Sequence, residues 1–145
     1  MIAKFFLQFV LAAVFGIGVD DGYATIYGNP GDPFAGGNLA CTHRPIPQDQ
    51  PVCAHRWLPC GTQVTIVNLE HPATTGCRIS DRGPYGQDRF GRWRGAIDLT
   101  PHVAKAVRLD GRDVVRLLYL MPKRGHPAYE PANAPKVPRR SRATM

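Results

Sequence analysis

The chain is 145 residues long, with 18 Lys and Arg against 11 Asp and Glu, a formal charge of +7, and 43% hydrophobic but only 9% aromatic residues. One-fifth charged residues and no apolar run of 18 or more exclude a polytopic membrane protein and a wholly disordered chain. Fifteen Gly and 14 Pro interrupt the chain too often for long helices and favour a mainly β domain of short strands and tight turns.

Lys4 precedes a 15-residue stretch, residues 5–19, that is polar only at Gln8 and is closed by Asp20 and Asp21. At about 1.5 Å per helical residue it falls short of a bilayer core of roughly 30 Å. Residues 1–19 therefore read as a signal peptide, with an N-terminal membrane anchor as the alternative, and the protein as exported to the periplasm, the cell envelope or the outside of the cell. Insertion into a membrane is predicted for this segment alone.

Residues 23–27 form the first predicted strand, stopped by Asn29-Pro30-Gly31-Asp32-Pro33. Residues 36–51 make a long polar loop. Residues 61–68, with alternating β-branched side chains, are the clearest strand, and 76–80 pair back on them as a hairpin. Asp81 then stands at a strand end, before a bend forced by Gly83-Pro84. Residues 95–99 form another short strand. Thr100 and Pro101 supply an N-cap and a first helical position for a helix over 102–109, with Val103 and Val107 inward and Gly111 as its stop. Residues 114–121 form the last strand. Residues 122–145 hold six basic residues and one acidic residue, so that residues 1–121 carry only +2. This basic, Pro-rich tail reads as disordered and able to touch nucleic acid, anionic lipid or an anionic wall polymer, a choice its composition leaves open, with no sequence-specific recognition of nucleic acid expected.

Cys41, Cys53, Cys60 and Cys77 are an even set in a chain read as exported, which predicts two disulfides with all three pairings open. Cys41-Thr42-His43 and Cys53-Ala54-His55 repeat a C-x-H spacing, but the C-x2-4-C and H-x3-5-H spacings of structural zinc are absent, so no metal is expected.

Four segments carry a resemblance. Ala24-Thr25-Ile26-Tyr27-Gly28, Cys53-Ala54-His55-Arg56-Trp57-Leu58-Pro59-Cys60-Gly61-Thr62, Asp81-Arg82-Gly83-Pro84-Tyr85 and Ile97-Asp98-Leu99-Thr100 follow one another as in the rare lipoprotein A (RlpA) family, over residues 22–121. Ile26 departs from that pattern, standing where an aromatic is common. The resemblance implies a six-stranded double-psi β-barrel with one short helix, related to the expansin and barwin barrels. It also implies a lytic transglycosylase, bacterial or virus-encoded, that cleaves peptidoglycan between N-acetylmuramic acid and N-acetylglucosamine and leaves 1,6-anhydro ends. No cofactor is implied.

Such a reaction needs a carboxyl group that first protonates the leaving oxygen and then accepts a proton from the attacking 6-hydroxyl. Asp81 matches the family's acidic position and is the candidate for both steps, with His55 as its catalytic partner; the plainer readings are a turn-forming aspartate and a histidine satisfying a loop carbonyl. Tyr27, Arg56, Trp57, Arg82, Tyr85 and Asp98 are candidates for sugar binding, although Asp98 also reads as a structural partner for Arg56 or Arg82, and aromatics in a small barrel are more often core. Residues 87–94, with Arg89, Arg92 and Arg94, form an insertion able to meet anionic substrate groups or simply to be solvated. The competing function is a non-catalytic, expansin-like module that binds cell-wall glycan.

Overall fold

The computed structural model of the protein describes residues 15–32 and 37–122. Along Gln63–Asn68 (β3) the side chains alternate between water and the interior, placing Val64, Ile66 and Asn68 inside. This strand pairs antiparallel with Ala73–Asp81 (β4) and with Val114–Pro122 (β6), which buries Val115, Leu117 and Tyr119 on the same interior. Phe15–Ile26 (β1), Val52–Ala54 (β2) and Ile97–Leu99 (β5) complete a closed barrel in the order β1-β5-β2-β4-β3-β6. Closure leaves no unpaired sheet edge.

Two pairings in this barrel are parallel, β1 with β5 and β2 with β4, while β2 and β5 run antiparallel between them. The chain from β1 to β2 therefore crosses β5, and the chain from β4 to β5 crosses β2. These interlocked crossovers make the barrel double-psi and bring the long loops after β1 and β4 to one place. The core is aliphatic: Ile66, Ile79, Ile97, Leu99 and Leu117 are fully buried, capped by Val103 and Val107 from the helix end of the domain.

The sequence-predicted elements differ from these in four ways. Phe15 to Val19, read as the end of the export segment, lie in β1 and pair with β6 from Phe15↔Pro122 onward. Gly18 permits this, because a Cβ there would fall 2.1 Å from the Tyr119 ring. Arg116 closes the pairing with two bonds to Asp21, of 2.8 and 2.7 Å. Residues 1–14 and the tail beyond Pro122 lie outside the described residues. Strand β2 was hidden at the edge of the predicted loop, being only three residues long. Strand β4 starts at Ala73, three residues early. The helix (α1) is Pro101–Ala106, and Thr100 does not cap it with its side chain: the hydroxyl donates to the Val52 carbonyl at 3.0 Å, a buried bond that ties the helix entry to β2.

The cysteines pair as Cys41–Cys60 and Cys53–Cys77, and no free cysteine is left for a metal. The first clips the β1–β2 loop to the turn before β3, and the second is buried in the barrel core. Among the described residues no helix is long and apolar enough to cross a membrane.

Candidate active site

Strand register alone aligns the functional positions. Thr25 on β1 faces Asp98 on β5, Asp98 faces Ala54 on β2, and Ala54 faces Asp81 on β4. Four adjacent strands thus present the row Thr25, Asp98, Ala54, Asp81, in which two acids flank a residue whose single methyl fills little of the space between them. At about 4.8 Å per strand their backbones stand roughly 10 Å apart. The row opens into a groove of about 460 Å³ whose walls include Tyr27, Asn38, Ile46, Pro84 and Tyr85.

The two carboxyl groups have different environments. Oδ1 of Asp81 accepts backbone N–H bonds from Ala40 at 2.9 Å and Arg82 at 2.8 Å. Asp98 receives one bond, 2.6 Å from the Thr25 hydroxyl, and its other oxygen lies against Gly83. Gly83 has φ +142°, a conformation that a side chain would strain, and a Cβ there would approach Oδ2 of Asp98 to 3.6 Å. Burial raises the Asp98 pKa above the ordinary aspartate value; the Thr25 bond opposes the shift and the charges of Asp32 and Asp81 add to it.

Tyr27 lies at the groove wall with only 8% of its surface exposed. Its hydroxyl faces the Asp81 carboxylate without completing a hydrogen bond of normal geometry, and it is the buried side-chain polar atom left unpaired among the described residues. Burial, followed by the charges of Asp81 and Asp98, pushes the phenol well above its usual pKa, so it remains a proton-bearing donor. An unsatisfied buried donor costs on the order of 1–3 kcal/mol, which an oxygen entering the groove would relieve.

Of the other sequence-predicted residues, Tyr85 and Arg82 also border the groove. Arg82 spends its guanidinium on the His55 and Leu58 carbonyls, at 3.2 and 2.6 Å. Arg56 likewise donates to the Pro84 and Gly95 carbonyls, at 3.0 and 2.6 Å, so that Asp98 pairs with neither arginine. Trp57 packs edge-on between His55 and Tyr119, against the core. Thr25, Asn38, Ile46 and the Ala40 amide were missed. Thr25 stands in the first quoted motif, two residues before Tyr27, while the others come from a loop without pattern.

The His55 imidazole does not line the groove. It is buried, and its Nδ1 accepts the N–H groups of Trp57 at 3.3 Å and Leu58 at 3.2 Å, closing the turn after β2. Its link to the site is through the backbone, its N–H donating to the Asp81 carbonyl at 3.2 Å. Burial, aided by the charges of Arg56 and Arg82 and opposed by Asp20, holds its pKa down to about 4. A depressed histidine pKa contributes stability that is complete above the unfolded value near 6.5 and is lost as pH falls through the folded one. At 1.36 kcal/mol per pH unit this amounts to about 3 kcal/mol. Urea midpoints of the wild type should fall between pH 6.5 and 4, whereas His55→Asn, which keeps an acceptor but cannot titrate, should show a flatter profile; equal profiles would mean that His55 is not buried neutral.

No family model matches the chain. Curated relatives do. The chain is 37% identical over 93 residues to a probable endolytic peptidoglycan transglycosylase RlpA of Nostoc sp., covering 64% of this chain and 23% of that protein. It is 33% identical over 101 residues to the probable endolytic peptidoglycan transglycosylase RlpA of Treponema pallidum, covering 68% and 28%. It is 36% identical over 69 residues to the endolytic peptidoglycan transglycosylase RlpA of Helicobacter pylori, covering 46% and 20%. The matched segment thus spans about a quarter of the relatives' length. Among solved structures, the Streptomyces papain inhibitor superposes with a TM-score of 0.49 at 22% identity, covering 70% of this chain and 94% of that one.

Proposed function

Because this chain is RlpA-like, with a double-psi β-barrel, we propose that it cleaves peptidoglycan glycan strands as a lytic transglycosylase and that Asp81 and Asp98 divide the work between them. The observation that carries this reading is the meeting of two unlike carboxyl groups and an unpaired Tyr27 hydroxyl in one groove.

Asp98, whose environment favours the protonated form, donates its proton to the glycosidic oxygen as the C1–O bond breaks. Asp81, whose Oδ1 is fixed by two backbone amides, faces the positive charge that develops at the sugar ring. The substrate's own 6-hydroxyl oxygen then bonds to C1 and returns its proton to Asp98, closing the 1,6-anhydro ring and restoring the acid. Tyr27 donates its free hydrogen bond to a sugar oxygen, and exposed Tyr85 offers a face for ring stacking. In the same reading the N-terminal segment exports the protein to the cell envelope, and the basic tail holds it on anionic wall or lipid.

The test is to incubate the full chain with purified peptidoglycan and determine the masses of the soluble products. Ends of 1,6-anhydro-N-acetylmuramic acid are expected. Reducing ends would instead mean hydrolysis, and no product with the protein still sedimenting with the wall would make the barrel a glycan-binding module.

A further inference from the structure

Large hydrophobic side chains that stay in water gather on one side of the barrel. Along β1, Ile17, Val19, Asp21 and Tyr23 point outward in alternation, and β6 sets Leu120 directly opposite Ile17. Ile17 is 77% exposed, and Val19 and Leu120 are more than half exposed. At its other end this strip reaches the hairpin between β4 and β5. There the Ala96 amide donates to the Tyr23 carbonyl at 2.7 Å, and Tyr23, Trp93, Arg92, Arg94 and Arg112 line one concavity. Phe90, 66% exposed, sits in the turn of that hairpin, where the Gly91 amide closes on the Asp88 carbonyl at 2.9 Å. Ile17, Val19, Tyr23, Phe90, Trp93 and Leu120 are thus six of the eight large hydrophobic side chains left exposed among the described residues. Single exposed side chains are ordinary, but a gathering of them marks a contact surface.

Cations surround this apolar surface. Arg89 and Arg92 lie 4.7 and 5.2 Å from the centre of the Phe90 ring, and Arg112 lies 4.1 Å from that of Tyr23. The acids on the same side are engaged, Asp21 with Arg116 at 2.7 Å and Asp88 with Arg92 at 2.8 Å. Arg89, Arg94 and Arg112 form no salt bridge with a described residue, so the surface is net positive. The pairing of Phe15 with Pro122 also joins both ends of the chain to it side by side, next to Ile17 and Leu120. One end, residues 5–14, is polar only at Gln8; the other, residues 123–145, holds six basic residues and one acidic residue.

We propose that this side of the barrel docks on an anionic phospholipid bilayer, with Phe90 and the aliphatic strip of β1 and β6 entering the headgroup layer and Arg89, Arg94 and Arg112 meeting its phosphates. The chemistry selects this partner. Ile17, Val19 and Leu120 offer a sugar polymer neither a hydrogen bond nor a ring face, whereas Tyr23 and Trp93 are side chains that favour the boundary between lipid and water. A second copy docked by a two-fold axis would set the same positive surface against itself. The apolar and basic chain ends continue both features of the surface into the two terms that hold a protein on anionic lipid. The surface also requires that the mature chain begin before Ile17. Removing residues 1–19 as a signal peptide would take Ile17 and Val19 away and strip β6 of its β1 partner from Leu118 to Pro122.

The experiment mixes the full chain with vesicles of phosphatidylcholine alone, or of phosphatidylcholine and phosphatidylglycerol in equal amounts, and reads flotation and tryptophan emission. Trp57 packs against the core, so Trp93 reports on the surface. Wild type should float with the mixed vesicles and shift its emission to the blue, and Trp93→Phe should abolish the shift while still floating. Arg94→Gln/Arg112→Gln should weaken binding about fivefold for each arginine removed. Ile17→Asn/Leu120→Asn should weaken it about tenfold or more, as should Phe90→Ser, whose exposed turn position spares the fold. Variants that bind like wild type would show that the chain ends act alone and overturn the surface. So would equal binding to both kinds of vesicle, or flotation without a change in emission. A stable dimer that Ile17→Asn/Leu120→Asn dissociates would give the surface to a second copy, and a mature N-terminus at Ile17 or beyond, read by intact mass, would remove it. None of these outcomes depends on whether the groove cleaves glycan.

Discussion

Asp98→Asn should lower the rate of peptidoglycan cleavage by about 10²- to 10⁴-fold, the usual contribution of a positioned general acid, while leaving sedimentation with the wall intact. Asparagine keeps the shape and can still accept the 2.6 Å bond from Thr25, so the row across β1, β5, β2 and β4 is preserved. What is lost is the transferable proton. The stability change should have the opposite sign to that of a damaged core. Because burial raises the Asp98 pKa, the stability this residue contributes is complete below the ordinary aspartate value and lost as pH rises through its folded value. Wherever the side chain is charged, its burial is a cost that asparagine removes. Lost turnover with an unchanged or higher Tm is therefore the expected pair of results, and wild-type activity should decline as rising pH ionises Asp98. Turnover within threefold of wild type would remove Asp98 from the chemistry and return the acid role to Asp81.

The largest effect on stability is expected from the Cys53–Cys77 bridge. Replacing both cysteines with alanine should cost about 3–4 kcal/mol, the chain-entropy value for a loop closed over 24 residues, read from urea denaturation. Both residues are at most 1% exposed among the aliphatic core side chains, so the pair also removes packing that water does not replace. The Cys41–Cys60 bridge spans a similar length but lies nearer the surface, and its removal should act more on turnover. Cys41 is followed back along the chain by Ala40, whose amide holds Asp81, and the Cys41 amide itself bonds to the Ser80 carbonyl at 3.0 Å. Loosening that loop releases the Asp81 carboxyl group from its donor.

The sequence was most legible where chemistry or alternation is local. Val64 and Ile66 mark β3 by themselves, and Asp81 is evident at the end of β4 because Gly83 and Pro84 force the chain to turn. The start of β1 was obscured because Phe15 to Val19 extend an apolar run whose intervening glycines, Gly16 and Gly18, make sense only against a neighbouring strand and the Tyr119 ring. Strand β2 was obscured for a related reason: three buried residues make a strand only when partners lie on both sides.

By itself the sequence determined the mainly β class, the even cysteine set, the helix start at Thr100-Pro101 and the residue types at the groove, since each depends on composition or on neighbours within a few positions. Only the tertiary structure decided the cysteine pairing, the contrast between Asp81 and Asp98, the unpaired Tyr27 hydroxyl and the inward-facing His55 ring. Each of these depends on which strand lies beside which. The interlocked crossovers of β2 and β5 set that order by joining residues as far apart in the chain as Thr25 and Asp98. Burial and hydrogen-bond supply, which give two identical carboxyl groups different surroundings, exist only after those strands have met.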